Sequence, residues 1–165
     1  MRANSLNSAG PGPARPQTHL GFALLDMIMA VLIMGILAAS AVPRFAEALT
    51  NARVTTAAQR IAADLRYLRC QAITSSATQQ VTFVVAQNRY TLVNVKSIDR
   101  PTVDYSVDLD DLFGAWLQSA TLGGNGILKF DMHGQPDSGG TITISCGSST
   151  RTITVRAITG ETTIN

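Results

Sequence analysis

Histidine, cysteine and net charge are all scarce in this chain, and each scarcity removes a class of function. The 165 residues hold two histidines, His19 and His133, and two cysteines, Cys70 and Cys146. With so few groups, no nucleophile, base and orienting residue can be assembled into a catalytic site. His133 lies in a glycine-rich stretch and reads as a turn residue. Of the thirteen Lys and Arg, Arg2 and Arg15 lie at the extreme N-terminus, and the remaining eleven equal the eleven Asp and Glu. A chain that is neutral beyond its first residues does not offer a broad nucleic-acid surface. No internal repeat is evident. The sequence therefore predicts no enzyme, no cofactor and no metal centre.

What is present is an apolar run from Leu20 to Val42 that stops at Pro43 and contains a single charge, Asp26. Phe22 to Val42 is 21 residues, the length needed to cross about 30 Å of hydrocarbon as a helix. A carboxylate inside such a helix costs about 2.5–3.5 kcal/mol on insertion scales, so Asp26 is a functional position by default. Residues 1–21 are polar, aperiodic and rich in proline (Pro11, Pro13, Pro16), and read as a cytoplasmic leader. Arg2 and Arg15 weakly favour an N-terminus in, C-terminus out orientation. A secretory signal peptide is the obvious competitor, with Ala38-Ala39-Ser40-Ala41 as small residues at a cleavage site. Its apolar core is usually shorter than this one. A plain signal anchor is a further alternative.

From Arg44 to about Ser75 the pattern predicts an amphipathic helix. Val54, Ala58, Ile61, Leu65, Leu68 and Ala72 make one apolar stripe, and Arg53, Arg60, Asp64 and Arg66 lie off it. Arg60 and Asp64 can pair across one turn. The stripe is expected to carry a sheet; a coiled-coil seam is the weaker reading. After Ser75 the period falls to two. Strands are expected around Val81–Val85 and Tyr90–Val93 with a turn at Asn88-Arg89, then at Ile127–Phe130, Thr141–Ser145, Thr152–Arg156 and Thr162–Ile164. Residues 134–140 read as a loop, and so does the stretch holding Asp99, Asp104, Asp108, Asp110 and Asp111. Asp108-Leu109-Asp110-Asp111 offers oxygens of the kind calcium takes, although a solvated acidic loop is the stronger reading. The expected fold class is α+β: a long N-terminal helix, transmembrane over 22–43 and amphipathic over 44–76, packed on a small antiparallel β-rich head, 77–165. In an oxidising compartment Cys70 and Cys146 form a possible disulfide. It would close a long loop and stabilise by about 4 kcal/mol on the entropy model.

Gly21-Phe22-Ala23-Leu24-Leu25-Asp26 resembles the processing signal of type IV pilins and type II secretion pseudopilins. Asp64–Ile73 followed by Val81-Thr82-Phe83, and the later Phe130-Asp131-Met132-His133-Gly134, are similar to the minor pseudopilin family of general secretion pathway protein H (GspH) and its pilus relative FimT. The resemblance implies cleavage after Gly21 by a prepilin peptidase and methylation of the new N-terminal Phe22. It implies that Asp26, where the family has glutamate, meets the free amine of a neighbouring subunit. Gly35 and Pro43 fall where the family places its helix-loosening residues. Glycine costs about 1 kcal/mol against alanine in a helix, and proline removes a hydrogen bond and kinks or locally melts it. The implied partners are the prepilin peptidase, other minor and major pseudopilins or pilins, and the bacterial inner membrane, with the head in the periplasm. The implied function is a structural subunit of the type II secretion filament. The alternative is a FimT-like minor pilin in pilus assembly or DNA uptake. DNA capture in that branch uses an arginine-rich C-terminal tail, and here Glu161 stands where arginine is expected, with Arg151 and Arg156 nearby. DNA is therefore an unlikely partner on this reading.

Overall fold

The structure is a computed structural model that describes residues 20–97 and 100–165, with side chains from Ala23 onward. The leader reading of residues 1–19 and the acid Asp99 lie outside the described residues. Helix α1, Leu20–Ser75, is 56 residues long. By compactness the chain falls into two units, Met1–Ala41 and Val42–Asn165.

In the first unit α1 is apolar on all sides. Every side chain from Ala23 to Ala41 is exposed, and an 18-residue window has a mean hydropathy of 2.3 with none of it buried. A helix apolar all round is at home only in a core or a bilayer. This one is long and apolar enough to cross a membrane. Its backbone polar groups are satisfied within the helix, as a lipid solvent demands. The hydroxyl of Ser40 donates to the Leu37 carbonyl at 2.9 Å, so it too is internally paired.

Helix α1 continues unbroken through Pro43. The expected local melting at this residue is therefore not seen in the isolated chain.

The second unit opens with the rest of α1, and the expected stripe is the buried one. Val54, Ala58, Ile61, Leu65, Leu68 and Ala72 are each at most 2% exposed. Ala57 and Ala62 join them. The helix stops by a Schellman arrangement. Ser76 takes a left-handed φ of 49°, its N–H donates to the Ile73 carbonyl, and the Ala77 N–H donates to the Ala72 carbonyl.

Two four-stranded antiparallel sheets follow. From edge to edge the first runs Asp104–Asp108, Arg89–Lys96, Gln79–Val84, Ile127–Phe130, and the second Trp116–Ala120, Gly140–Cys146, Ser149–Val155, Thr162–Ile164. Strands β1 (Gln79–Val84) and β2 (Arg89–Lys96) form a hairpin through a 3-10 turn at Val85–Gln87, with Val81 opposite Leu92 and Phe83 opposite Tyr90. Strand β5 (Ile127–Phe130) pairs with the other edge of β1. In the second sheet β6 (Gly140–Cys146), β7 (Ser149–Val155) and β8 (Thr162–Ile164) form a meander. Inward Ile142, Ile144, Ile153 and Val155 join the α1 stripe and the inward residues of the first sheet in one core.

The acidic stretch is not the loop expected from sequence. It holds β3 (Asp104–Asp108), the short helix α2 (Leu109–Phe113) and β4 (Trp116–Ala120). Val107, Leu109, Ala115 and Leu117 are buried. The acids mislead because two of them have structural partners: Asp108 caps α2, and Asp104 pairs with Lys96 at 2.8 Å. The Asp108 carboxylate accepts from the Asp110 and Asp111 N–H groups at 3.1 and 3.3 Å, and Gly114 ends α2 in a left-handed conformation with φ 61°.

Candidate assembly surfaces

The predicted site residues of the N-terminal segment all lie on α1. Gly21 and Phe22 are in its first turn; Asp26, Gly35 and Pro43 follow, and all three are exposed. From Gly21 to Pro43 is about 33 Å of helix, so the structure strings these residues along one rod and gathers none of them into a cleft. Among the described residues Asp26 forms no ion pair. A Cβ built on Gly35 meets nothing within 4 Å, so nothing among the described residues requires glycine there. Among the described residues these positions share the chemistry of a helix without partners: one uncompensated carboxylate, one gap in side-chain cover and one missing N–H.

Cys70 and Cys146 are both free thiols, Cys70 exposed and Cys146 buried. The possible disulfide is thus not formed. Cys70 is two residues beyond the buried Leu68, about 200° round the helix, and so faces away from the core that Cys146 enters.

Four side chains tie α1 to the first sheet. The Tyr90 hydroxyl donates to Asp64 Oδ2 at 2.6 Å. Arg60 Nε lies 3.3 Å from the same oxygen, its Nη2 donates to the Tyr105 hydroxyl, and its guanidinium carbon sits 5.8 Å from the Tyr105 ring centre. Burial first, and then the Asp64 carboxylate, push the Tyr90 phenol well above its ordinary range. The Tyr105 hydrogen bond, more than the Asp64 charge, raises the Arg60 guanidinium. Asp64 is satisfied from two sides, which is what permits a nearly buried carboxylate.

A second tie is the loop after β5. Asp131 Oδ1 accepts from the His133 and Gln135 N–H groups at 2.9 and 2.8 Å, and Arg69 Nε donates to the Gly134 carbonyl at 3.0 Å. Gly134 has φ 76°, and a Cβ there would stand 2.7 Å from Ile73 Cδ1 on α1. A Cβ there would strain the left-handed turn and displace the Ile73 side chain, which is why glycine suits the position. Gly160 likewise lets the last turn close on Phe130, whose Cε1 would be 3.1 Å from an added Cβ. His133 is exposed, and its described bond is through its backbone. It is a turn residue, as its surroundings in the sequence suggested.

Asn88, expected only as a turn residue, joins the two sheets. It is buried and left-handed, its amide donates to the Ala115 carbonyl at 2.8 Å, and its Oδ1 accepts from the Leu117 N–H at 2.5 Å. Its turn could be read from sequence, but its partners Ala115 and Leu117, at the start of β4, could not. The arginines of the tail do not converge: Arg151 Nη2 donates to Asn51 Oδ1 at 2.7 Å, and Arg156 pairs with Glu161 at 3.0 Å. The Asp108 carboxylate is held below the usual carboxylate range, first by the Asp111 and Asp110 N–H groups and then by Arg89. It is a cap, which leaves Asp110 and Asp111 as exposed acids on the first turn of α2.

Residues 57–159 match the family model described as Type II transport protein GspH. The chain belongs to the GspH family. Membership makes it a pilin-like structural subunit, a minor pseudopilin or minor pilin that assembles with other subunits of that kind. The match covers the buried stripe of α1 from Ala57 onward, the first sheet, three strands of the second and the Asp131–Gly134 turn, and it stops before Gly160 and β8. Among solved structures, this GspH-family chain is similar to the minor pseudopilin EpsH from the Type 2 Secretion System of Vibrio cholerae. The identity is 18%, covering 68% of this chain and 96% of that one, with a TM-score of 0.52. The type IV minor pilin FimU of Pseudomonas aeruginosa aligns at 16% identity over 68% of this chain and 87% of that one, with a TM-score of 0.48. At such identities the likeness is one of fold. No curated protein sequence matches the chain.

Proposed function

We propose that this chain is a minor pseudopilin of a type II secretion filament, made as a precursor, cut after Gly21 and methylated on Phe22. The span 22–43 anchors it in the inner membrane and the head stands in the periplasm. The observation that carries this reading is the coincidence of two independent signals. The head matches the type II transport family, and the run before it has Gly21, Phe22 and Asp26 in register at the start of an unpartnered apolar helix. Within a bundle of such helices Asp26 pairs with the amine that cleavage creates on a neighbour. The pairing offsets the cost of a carboxylate in a dry environment, where an unpaired charge costs several kcal/mol. Gly35 and Pro43 are then weak points at which the assembled helix can stretch. A type IV pilus subunit that captures DNA is disfavoured, because phosphate binding scales with available cations and Arg156 is already paired with Glu161.

The test is to crosslink cells, purify the protein from membranes and identify its covalent partners, with intact mass measured on the same material. The expected result is a mature chain starting at methylated Phe22, bound to other pseudopilins and the secretion platform. Major pilin and pilus-tip partners would move the protein to a type IV pilus. An uncut chain would sink the pilin assignment of the N-terminus. Asp26→Ala is expected to be cut normally but to lose its crosslinks to neighbours.

A further inference from the structure

The outward face of the second sheet carries no charge. Its four strands hold one charged residue, Arg151. Arg151 stands opposite Ile144 on the core side, and its Nη2 donates to Asn51 Oδ1 on α1. With Ile142, Ile144, Ile153 and Val155 turned inward, strand alternation turns the other set out. Thr141 then stands beside Thr154, and Thr154 beside Thr163. Ser119, Thr143 and Thr152 form a second row across the sheet, and Trp116, Ser145 and Thr150 a third. Neighbours in a row lie about 4.8 Å apart, and successive rows about 7 Å.

The first sheet is differently covered. Its outward positions include Arg89 opposite Asp108, and Lys129 opposite Gln80. In the strands of the second sheet every outward position is threonine or serine apart from Trp116 and Gln118. Trp116 is 56% exposed, on the edge strand β4. Gln118 Nε2 donates to Ser145 Oγ at 2.8 Å, and the Thr121 and Thr141 hydroxyls lie 3.0 Å apart. Among the described residues the hydroxyls of Thr143, Thr152 and Thr154 have no such partner. The face is a grid of hydroxyls, several of them free, with an aromatic ring at its rim.

Such a surface suits a narrow class of partner. Nucleic acid and anionic lipid need cations, and none points outward here. A protein partner is usually anchored by a cluster of Trp, Tyr and Arg, with serine and threonine contributing little. A hydroxyl both donates and accepts, and an indole covers an apolar surface. A neutral polymer that carries its own hydroxyls and apolar C–H faces matches these properties together.

We propose that this face holds a glycan strand of the cell wall, with its hydroxyls and amides bonded to the threonine rows and one sugar ring against Trp116. The choice of the cell wall as the source rests on the reading of the head as periplasmic. Each hydroxyl contact replaces a bond to water at small net gain, so the grip on one sugar is weak and grows with the number of rows engaged.

The experiment sediments purified sacculi with detergent-solubilised full-length protein, in parallel with sacculi whose stem peptides an amidase has removed. Co-sedimentation is expected with both, and it should survive salt raised to about 0.5 M, where exposed charges are largely screened. Trp116→Ala and Thr152→Glu should each weaken binding about tenfold. Gln59→Glu, which adds the same charge on the exposed side of α1, should leave binding unchanged. Thermal unfolding of each variant checks that the head is intact, and Trp116→Ala removes only an exposed ring. No sedimentation overturns the proposal, and so does sedimentation that requires the stem peptides or is lost at high salt. Binding indifferent to both substitutions overturns it as well. Intact mass on the same protein separates the two ideas: a chain cut after Gly21 that does not sediment overturns the glycan face alone, and an uncut chain that sediments supports the face and overturns the filament reading.

Discussion

The two parts of α1 show what one helix does in two solvents. From Ala23 to Leu49 it buries no side chain; from Val54 to Ala72 it buries eight. In the first part leucine, isoleucine and methionine point in every direction, because lipid or neighbouring helices can receive them anywhere. In the second part the apolar residues are confined to one stripe, and many are alanine, because a sheet must come close on one side while water covers the other. The first part depends on what surrounds the chain, and the second on what the chain itself supplies.

The comparison is broken most completely at Gly21. Replacing it with leucine should abolish processing, read as an uncut mass, while the thermal unfolding of the head stays unchanged. Next in size is a matched pair. Leu65→Ala should cost the head about 2–5 kcal/mol in denaturant unfolding, the usual penalty for a buried leucine. Leu32→Ala, on the exposed part, should leave head unfolding untouched. An equal effect of both would mean that the two parts are not separate in stability.

Tyr90→Phe should cost about 1.5–3 kcal/mol, because it removes a hydrogen bond to a charged, nearly buried Asp64. It also sharpens the alkaline limb. The Tyr90 pKa is raised by folding, so its contribution is full below the unfolded tyrosine range and is lost as pH rises through and beyond about 10. Wild type should therefore lose stability from about pH 10 upward more steeply than Tyr90→Phe. The smallest effect is expected from Asp108→Ala, about 1 kcal/mol for a lost helix cap. Folding lowers the Asp104 and Asp108 pKa values, Asp104 chiefly through the Lys96 hydrogen bond. Their contributions are thus present above the unfolded aspartate value and are lost as pH falls below about 4. A melting-temperature series from pH 6 to 3 should show a shallower acid fall in Asp108→Ala.

Periodicity made the helix and most strands legible in the sequence. Val54 to Ala72 repeat at helical spacing and Val81, Phe83, Leu92 alternate, and both patterns are imposed directly by burial. The segment β3-α2-β4 was hidden because its elements are five residues each and one of its acids, Asp108, serves the backbone as a cap. The outward position of Cys70 was readable, since it follows Leu68 by two places on a helix. The bonds from Asn88 to Ala115 and Leu117 were not readable, because they depend on where the second sheet lies. The N-terminal motif was read from residue identities alone, and its roles await the processing and crosslinking experiments above.

The stripe from Val54 to Ala72 also has a mechanical meaning. It runs parallel to the helix for about 27 Å, and it is pinned near its middle by Asp64 with Tyr90 and near its end by Arg69 with Gly134. A pull along α1 loads that whole seam in shear, so its contacts share the force and must yield together. A pull across α1 would open them one turn at a time. The head is therefore fastened as a lap joint, strong along the helix axis and weak across it.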